Sequence, residues 1–119
     1  MQFSPDMCDM ILAGRKTRTT RPQRIVGWQM TTPFYEHECR YVVGRTYAVC
    51  PGRGKKQVAR IRVTAVEDVA SIHKIVDKEQ HWALEGCDSW NGFLYKWTQL
   101  YPLSDRRRLG PVWMIDFEL

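Results

Sequence analysis

The chain has 119 residues, of which 44% are hydrophobic and 26% are charged, proportions that are ordinary for a globular protein. This length predicts a single domain over residues 1–119, with a core that needs no disulfide bonds. No apolar run approaches the roughly 20 residues of a membrane-spanning helix, and the first residues lack the basic and apolar regions of a signal peptide. We therefore expect a cytoplasmic protein without a membrane partner, and nothing in the sequence indicates an obligate protein partner.

The formal net charge of +5 is unevenly distributed along the chain. Residues 1–62 contain 12 of the 18 Lys and Arg residues and 4 of the 13 acidic residues, a net charge of +8, whereas the remainder has a net charge of −3. A basic half predicts a nucleic-acid or phosphate partner. A solvated basic surface would have the same composition, so charge alone leaves both readings open.

The four cysteines are scattered and form no Cys-x-x-Cys pair. His37 and Cys39 are two residues apart, a spacing that can ligate zinc, but no second pair accompanies them. We expect reduced structural thiols and predict neither a metal site nor any other cofactor.

The first structural signal is a short helix over residues 5–13. Serine, proline and aspartate at positions 4–6 form a helix start, and apolar residues at positions 7, 10 and 11 share one face. Gly14 is a natural left-handed stop. Lys16 is therefore expected just past the end of this helix.

The basic segment (residues 14–21) contains four cations and three threonines. A core cannot bury so many charges without partners, so we expect the segment to face solvent or a ligand. Its β-branched threonines favour a strand, which would place positions 17, 19 and 21 on one face and positions 18 and 20 on the other. Neither face is apolar, which predicts that one face lines a polar cleft. Pro22 should end the strand.

Residues 22–44 have the weakest pattern, with an extended stretch followed by an expected loop over residues 31–35. Three aromatic residues here accompany two arginines: Trp28, Phe34, Tyr35, Arg24 and Arg40. They are consistent either with a surface that stacks nucleic-acid bases or with a loop held to the core by its aromatic rings.

A hairpin is expected next, with a short strand over residues 47–50, a Gly-rich turn and a strand over residues 57–66. In the second strand Ala59, Ile61, Val63 and Ala65 alternate with polar positions, so one face should be core. Arg60 and Arg62 occupy the other face and would make it basic. The turn lacks the glycine spacing of a phosphate-binding loop.

Three further elements are predicted in the rest of the chain. Helical spacing over residues 73–84, which includes Val76, ends at Gly86, and this places Glu85 at the C-terminal end of the helix. A carboxylate there meets the negative end of the helix dipole, which should raise its proton affinity. A third helix with a wide apolar stripe, capped by Asp88 or Ser89, should end at Pro102. Residues 112–119 alternate like a half-buried final strand.

The order and spacing of these features closely resemble the ASCH domain family, whose fold is a small PUA-like β-barrel. The motifs that carry the resemblance cover nearly the whole chain: Ile11-Leu12-Ala13-Gly14-Arg15-Lys16-Thr17-Arg18-Thr19-Thr20-Arg21, Tyr41-Val42-Val43-Gly44, the strand of residues 59–66, Ala83-Leu84-Glu85-Gly86, Phe93, Trp97 and Tyr101, and Pro111-Val112-Trp113-Met114-Ile115-Asp116-Phe117-Glu118-Leu119. The resemblance implies an α+β protein, a small mixed β-barrel surrounded by about three helices.

The family is associated with RNA binding, and one bacterial branch removes the acetyl group from N(4)-acetylcytidine with a Lys, a Thr and a Glu. These residues correspond here to Lys16, Thr19 and Glu85. The resemblance therefore implies an amidohydrolase in which Thr19 attacks the amide, Lys16 acts as base and Glu85 protonates the leaving amine. Neighbouring arginines would lower the proton affinity of Lys16.

Six arginines are candidate contacts for RNA or a nucleoside substrate: Arg15, Arg18, Arg21, Arg24, Arg60 and Arg62. Two alternatives to the amidohydrolase remain, a non-catalytic RNA-binding module and a ribonuclease that uses the same basic cleft. The chain also departs from the amidohydrolase branch. Thr20 replaces an aliphatic residue, residues 22–44 form a longer segment, and the third helix is richer in tryptophan.

Overall fold

The computed structural model describes residues 1–75 and 80–119. Its helices and strands are α1 (Pro5–Leu12), β1 (Arg18–Pro22), β2 (Ile25–Gln29), β3 (Thr32–Tyr35), β4 (Thr46–Val49), β5 (Ala59–Val69), α2 (His81–Leu84), α3 (Trp90–Leu100) and β6 (Val112–Glu118). Single 3-10 turns lie at Ile72–Lys74 and Arg106–Arg108. Together they form a small α+β fold.

The main sheet has four antiparallel strands in the order β1-β6-β5-β4. It curls into a half-barrel with the three helices around it, which confirms the expected small PUA-like barrel. The resemblance implied a barrel with both parallel and antiparallel strands. Among the described residues, the parallel pairing is limited to an isolated bridge between Gln2 and Cys50. Strands β2 and β3 form a separate hairpin.

Strand β6 lies inside the sheet, between β1 and β5. The sequence pattern predicts one buried face, but Val112 and Met114 are buried as well as Trp113 and Ile115. The first pair packs in a cluster with α3, and the second pair packs with Val63 on β5. A central strand covered on both faces needs no polar side, so the prediction of a half-buried strand is wrong for this part of β6.

The β4–β5 hairpin is confirmed, but β5 does not keep a single alternation. Ile61 and Val63 are buried as predicted, and then the register against β6 shifts between Val63 and Ala65. Such a bulge adds one residue and moves the following side chains to the opposite face. Ala65, predicted to be core, is therefore exposed, and Val69 is buried instead.

Helices α1 and α3 confirm their sequence signals. The side chain of Ser4 accepts from the backbone N–H of Met7 at 3.3 Å, and that of Ser89 accepts from Gly92 at 3.0 Å. The middle helix was predicted over residues 73–84. Among the described residues, this region contains the turn at Ile72–Lys74 and the four residues of α2. Val76 lies outside the described residues.

The expected loop at residues 31–35 is wrong, because residues 32–35 form strand β3. Two of the hairpin's aromatic side chains are about half exposed, at 49% for Trp28 and 48% for Phe34. The guanidinium of Arg106 lies 4.9 Å from the centre of the Trp28 ring. These two rings are therefore held at the surface rather than in the core.

None of the described helices is long and apolar enough to cross a membrane.

Candidate active site

The basic segment is largely buried. Lys16, Arg18, Thr19 and Thr20 expose only 4–7% of their surface. Arg18 therefore does not face solvent or a cavity as expected, whereas Lys16, Thr19 and Thr20 line the cavity described below. Burial is possible because each charge has a partner from a distant part of the chain, and a buried charge is tolerated when it is paired and hydrogen-bonded.

Lys16 forms the centre of this arrangement. Its ammonium group donates to Oε1 of Glu85 at 2.8 Å, to the backbone carbonyl of Glu85 at 3.1 Å and to that of Arg18 at 2.7 Å. An ammonium group has three protons, so all of its donors are used. The sequence predicted that Lys16 and Glu85 act together, and the structure brings them into contact across 69 residues.

The backbone around Gly86 permits this close approach. Gly86 follows Glu85 with a φ of +84°, in the left-handed region that glycine adopts without strain. A Cβ at this position would lie 3.2 Å from Cβ of Lys16 and 3.4 Å from Cβ of Met10. The predicted helix stop is thus also the point where α1, the basic segment and α2 pack together.

The carboxylate of Glu85 is buried and fully engaged. Its Oε2 accepts from the hydroxyl of Thr20 at 2.5 Å and lies 3.0 Å from Nε2 of His81. Burial by itself raises the pKa of Glu85, but the Lys16 ammonium and His81 outweigh it and hold the pKa at about 2. The sequence expectation of a raised proton affinity is wrong, because the helix end is a weaker influence than an ion pair.

Arg18 belongs to the same buried network. Its guanidinium binds Asp116 of β6 through two contacts of 2.5 and 3.2 Å and lies 3.4 Å from Nδ1 of His81. The predicted role of Arg18 as a direct RNA contact is thus not available in this conformation. It instead connects β1 to β6 and to His81, which in turn contacts Glu85.

A cavity of about 610 Å³ opens beside this network. Lys16, Thr19, Thr20 and Glu85 form its polar side. Aromatic rings contribute much of the remaining wall: Phe3, Phe93, Trp97 and Tyr101. This volume is typical of small-molecule sites, and the wall of rings with a few converging polar groups suits a flat, partly polar ligand such as a nucleobase.

Thr19 lines the cavity together with Thr20, so residues from both predicted faces of β1 reach it. The hydroxyl of Thr19 accepts from Nε of Arg21 at 3.3 Å. Arg21 is anchored further by a 2.7 Å bond to the carbonyl of Gln2 and by contact with the Phe3 ring. In residues 1–75 and 80–119, Thr19 makes no hydrogen bond to Lys16, so the predicted nucleophile and base share a cavity without touching.

The remaining predicted arginines lie away from this cavity. Arg15 faces Asp88 at 3.6 Å, and both side chains are exposed. Arg60 and Arg62 follow the outer side of the β4–β5 hairpin, where they bind oxygens of Thr46 and Gly44. Arg24 lines a different cavity. Of the six predicted arginines, Arg21 is the one that lines the cavity within the described chain.

Three members of the network escaped prediction: Thr20, His81 and Asp116. His81 had one usable signal, since it lies four residues before Glu85 and so shares a helix face with it. Thr20 and Asp116 become recognisable only when β1 pairs with β6.

Cysteine chemistry is not indicated at this site. All four cysteines are free, which confirms the expected thiols. Cys87 lines the cavity, but burial and the nearby Glu85 raise the pKa of its thiol. Because the thiolate is the reactive form, Cys87 is a poor nucleophile near neutral pH. The described residues contain no group of three or more His, Cys, Asp or Glu side chains placed to hold a metal ion.

No protein-family model matches the chain, and no curated protein matches its sequence. Its fold is nevertheless similar to solved structures. The hypothetical protein PH0355 superimposes with a TM-score of 0.63 at 18% identity, over 99% of this chain and 94% of that one. Protein EF3133 of Enterococcus faecalis V583, from the DUF984 family, gives a TM-score of 0.57 at 21% identity, over 95% of this chain and 69% of its own.

The ASCH domain from Lactobacillus crispatus JV V101 also superimposes, with a TM-score of 0.57 at 21% identity, over 95% of this chain and 69% of that one. The chain has the ASCH-domain fold. This confirms the resemblance expected from the sequence motifs at the level of fold. Since identities this low carry no activity from one protein to another, the function of this ASCH fold must be argued from its own cavity.

Proposed function

We propose that the cavity hydrolyses an amide on a nucleobase, such as the N(4)-acetyl group of acetylcytidine. One observation carries the proposal: a buried ion pair, Lys16 with Glu85, borders a cavity of nucleoside size that a threonine hydroxyl also lines. Paired acid–base groups beside a hydroxyl are the arrangement that nucleophilic acyl transfer requires. The aromatic wall would hold the pyrimidine ring.

In the proposed reaction, substrate expels water from the cavity and so favours the neutral form of the ion pair, with one proton moved from Lys16 to Glu85. The hydroxyl of Thr19 attacks the acetyl carbonyl and its proton passes to Lys16. The bond from the carbonyl carbon to N4 then breaks as N4 takes the proton from Glu85, which releases cytidine and restores the ion pair. Water hydrolyses the acetyl ester of Thr19 to release acetate.

Arg21 would assist by stabilising the oxyanion of the tetrahedral intermediate. Its guanidinium already contacts Thr19 and is held in place by Gln2 and Phe3. Fixed donors beside a developing negative charge accelerate such reactions without reorganisation.

The direct test is to incubate the purified protein with N(4)-acetylcytidine and to measure cytidine and acetate. We expect release by the wild type and by Arg53→Gln, a charge-matched control on an exposed turn. Lys16→Met and Glu85→Gln should each reduce the rate of cytidine release at least 100-fold, the usual contribution of a proton-transfer group. Absence of cytidine release from folded wild-type protein would refute the proposal.

A matched pair of variants tests which hydroxyl attacks. Thr19 and Thr20 both line the cavity, but Thr20 donates to Glu85 whereas Thr19 contacts Arg21. Thr19→Val should abolish acetyl transfer to the protein. Thr20→Val should retain it at a reduced rate, because Glu85 still has Lys16. An acetylated protein trapped by acid quench and located by mass spectrometry would decide, and an acetyl group on Thr20 would reassign the nucleophile.

A second candidate function is a non-catalytic RNA-binding module. The observation that favours it over catalysis concerns Lys16: its three protons are all bound within the protein, so its nitrogen has no lone pair with which to act as a base. The two functions differ in what they require of Glu85. Glu85→Gln should abolish hydrolysis if the cavity is catalytic, but should leave or improve RNA affinity if the protein only binds. Incubation with labelled RNA in the same series would reveal cleavage, the outcome expected of a ribonuclease.

A further inference from the structure

A second cavity, of about 480 Å³, adjoins the first. Arg21 and Tyr101 line both cavities and therefore stand at their junction. Three further arginines line the second cavity: Arg24, Arg40 and Arg107. Any ligand that fills the first cavity and extends past Arg21 would enter a strongly cationic space.

This positive charge is not neutralised from within the cavity. Glu36 is the carboxylate among the described residues that line it, and its Oε1 is already occupied by the backbone N–H of Arg24 at 3.1 Å and by the indole of Trp113 at 2.8 Å. The positive charge of Arg107 is partly compensated, since its guanidinium pairs with the carboxylate of Asp105 at 2.8 Å. Glu36 is thus the carboxylate that lines this cavity beside the three remaining arginines, Arg21, Arg24 and Arg40.

Arg24 and Arg40 differ from the other two arginines of this cavity, Arg21 and Arg107, whose guanidinium groups are hydrogen-bonded within the protein. Arg24 and Arg40 are both exposed, and within residues 1–75 and 80–119 neither guanidinium donates a hydrogen bond. The guanidinium of Arg40 lies 5.2 Å from the centre of the Tyr41 ring. A guanidinium group binds phosphate oxygens through paired N–H donors, so two of them at one cavity suit a phosphate group.

We propose that the second cavity binds a phosphate group attached to the nucleoside in the first cavity. The substrate is then a nucleotide, or a nucleotide within an RNA strand, rather than a free nucleoside. This inference rests on the function proposed for the first cavity, because it uses that cavity to hold the base. It gives Arg24 and Arg40 the role of specificity determinants and leaves the chemistry to the first cavity.

The test compares kcat/KM for four substrates: N(4)-acetylcytidine, its 5′-monophosphate, its 3′-monophosphate and a short RNA that contains it. We expect at least one phosphorylated substrate to exceed the free nucleoside by tenfold or more, mainly through a lower KM. In the double variant Arg24→Gln, Arg40→Gln this advantage should vanish, so that the phosphorylated substrates and the free nucleoside have equal kcat/KM. Arg53→Gln should keep the advantage.

The substrate series also separates two sources of phosphate. A monophosphate that matches the RNA would indicate a pocket for a terminal phosphate, whereas an advantage confined to RNA would indicate a path for a strand. Equal kcat/KM for all four substrates, or an advantage that survives in the double variant, would overturn the proposal.

A binding experiment makes failure of this inference distinguishable from failure of the proposed function. Cytidine, the cytidine monophosphates and a short RNA that contains cytidine are titrated by calorimetry into wild type and the double variant, which requires no turnover. Phosphate-dependent binding lost in the double variant, with no hydrolysis of any substrate, would keep the subsite and reject the amidohydrolase. Hydrolysis of free nucleoside without tighter binding of either monophosphate or of the RNA would keep the amidohydrolase and reject the subsite.

Discussion

The buried Lys16–Glu85 ion pair predicts how the stability of the protein depends on pH. The folded protein holds the pKa of Glu85 at about 2, against an ordinary value of 4.5. A depression of this size corresponds to roughly 3 kcal/mol of folding free energy. Because the folded pKa is the lower one, this contribution is fully present above about pH 4.5 and is lost as the pH falls towards 2.

The perturbation that isolates this contribution is Glu85→Gln, which resembles the protonated side chain in shape. At neutral pH the variant leaves Lys16 buried without its partner, which costs about 3–5 kcal/mol. At about pH 2, half of Glu85 in the folded wild type is protonated and nearly all of the stabilisation from its lowered pKa is gone, so the two proteins should differ by about 3 kcal/mol less than at neutral pH. Other acidic residues titrate in both proteins and largely cancel in the difference.

The assay is urea unfolding followed by tryptophan fluorescence, with the free energies of unfolding compared at several pH values between 2 and 7. Sucrose in all samples would keep the variant folded if its stability is marginal. A difference between wild type and Glu85→Gln that stays constant across this range would refute the reasoning. It would mean that Glu85 ionises in the folded protein much as it does in the unfolded chain.

Further substitutions test the packing around this pair. Gly86→Ala should lower the free energy of unfolding by about 2–4 kcal/mol, because it combines a positive φ with a methyl group forced against Lys16. Gly54 also has a positive φ but lies in open space, so Gly54→Ala should lower it by about 1 kcal/mol. Equal losses in their melting temperatures would contradict the close contact. Arg18→Lys should cost about 1–3 kcal/mol, since lysine cannot reproduce the paired contacts with Asp116. Chemical unfolding measures this, and an unchanged midpoint would show that the paired geometry is not needed.

Local sequence patterns predicted the helices and the turn that are defined by residues close together in the chain. The caps and apolar stripes of α1 and α3 and the turn between β4 and β5 depend on residues within a few positions of one another. The family motif added the pairing of Lys16 with Glu85, although periodicity alone gave no reason to connect them. The prediction for the middle of β5 was wrong because a bulge shifts the alternation of buried and exposed residues. No pattern in the sequence indicates this bulge.

The burial of the basic segment could not be predicted in the same way. Whether Arg18 faces solvent depends on Asp116, which lies 98 residues further along the chain. Similarly, the charge state of Glu85 depends on Lys16, 69 residues before it. Composition identifies an unusual density of charge, but only the three-dimensional fold reveals that each of these buried charges has a partner. The hairpin within residues 22–44 escaped prediction because neither of its strands, Ile25–Gln29 and Thr32–Tyr35, alternates apolar with polar residues.

The position of β6 has a consequence for how this protein is made. β6 follows every other strand in the chain, yet it lies between β1 and β5 and supplies Asp116 to the buried network. During synthesis, β1 therefore emerges before its neighbour in the sheet, and Asp116 can reach Arg18 only after β6 has been translated. Long-range pairings of this kind slow folding and leave strand edges uncovered in the meantime. A nascent chain truncated before residue 112 should consequently be more sensitive to proteolysis and more dependent on chaperones than the finished protein.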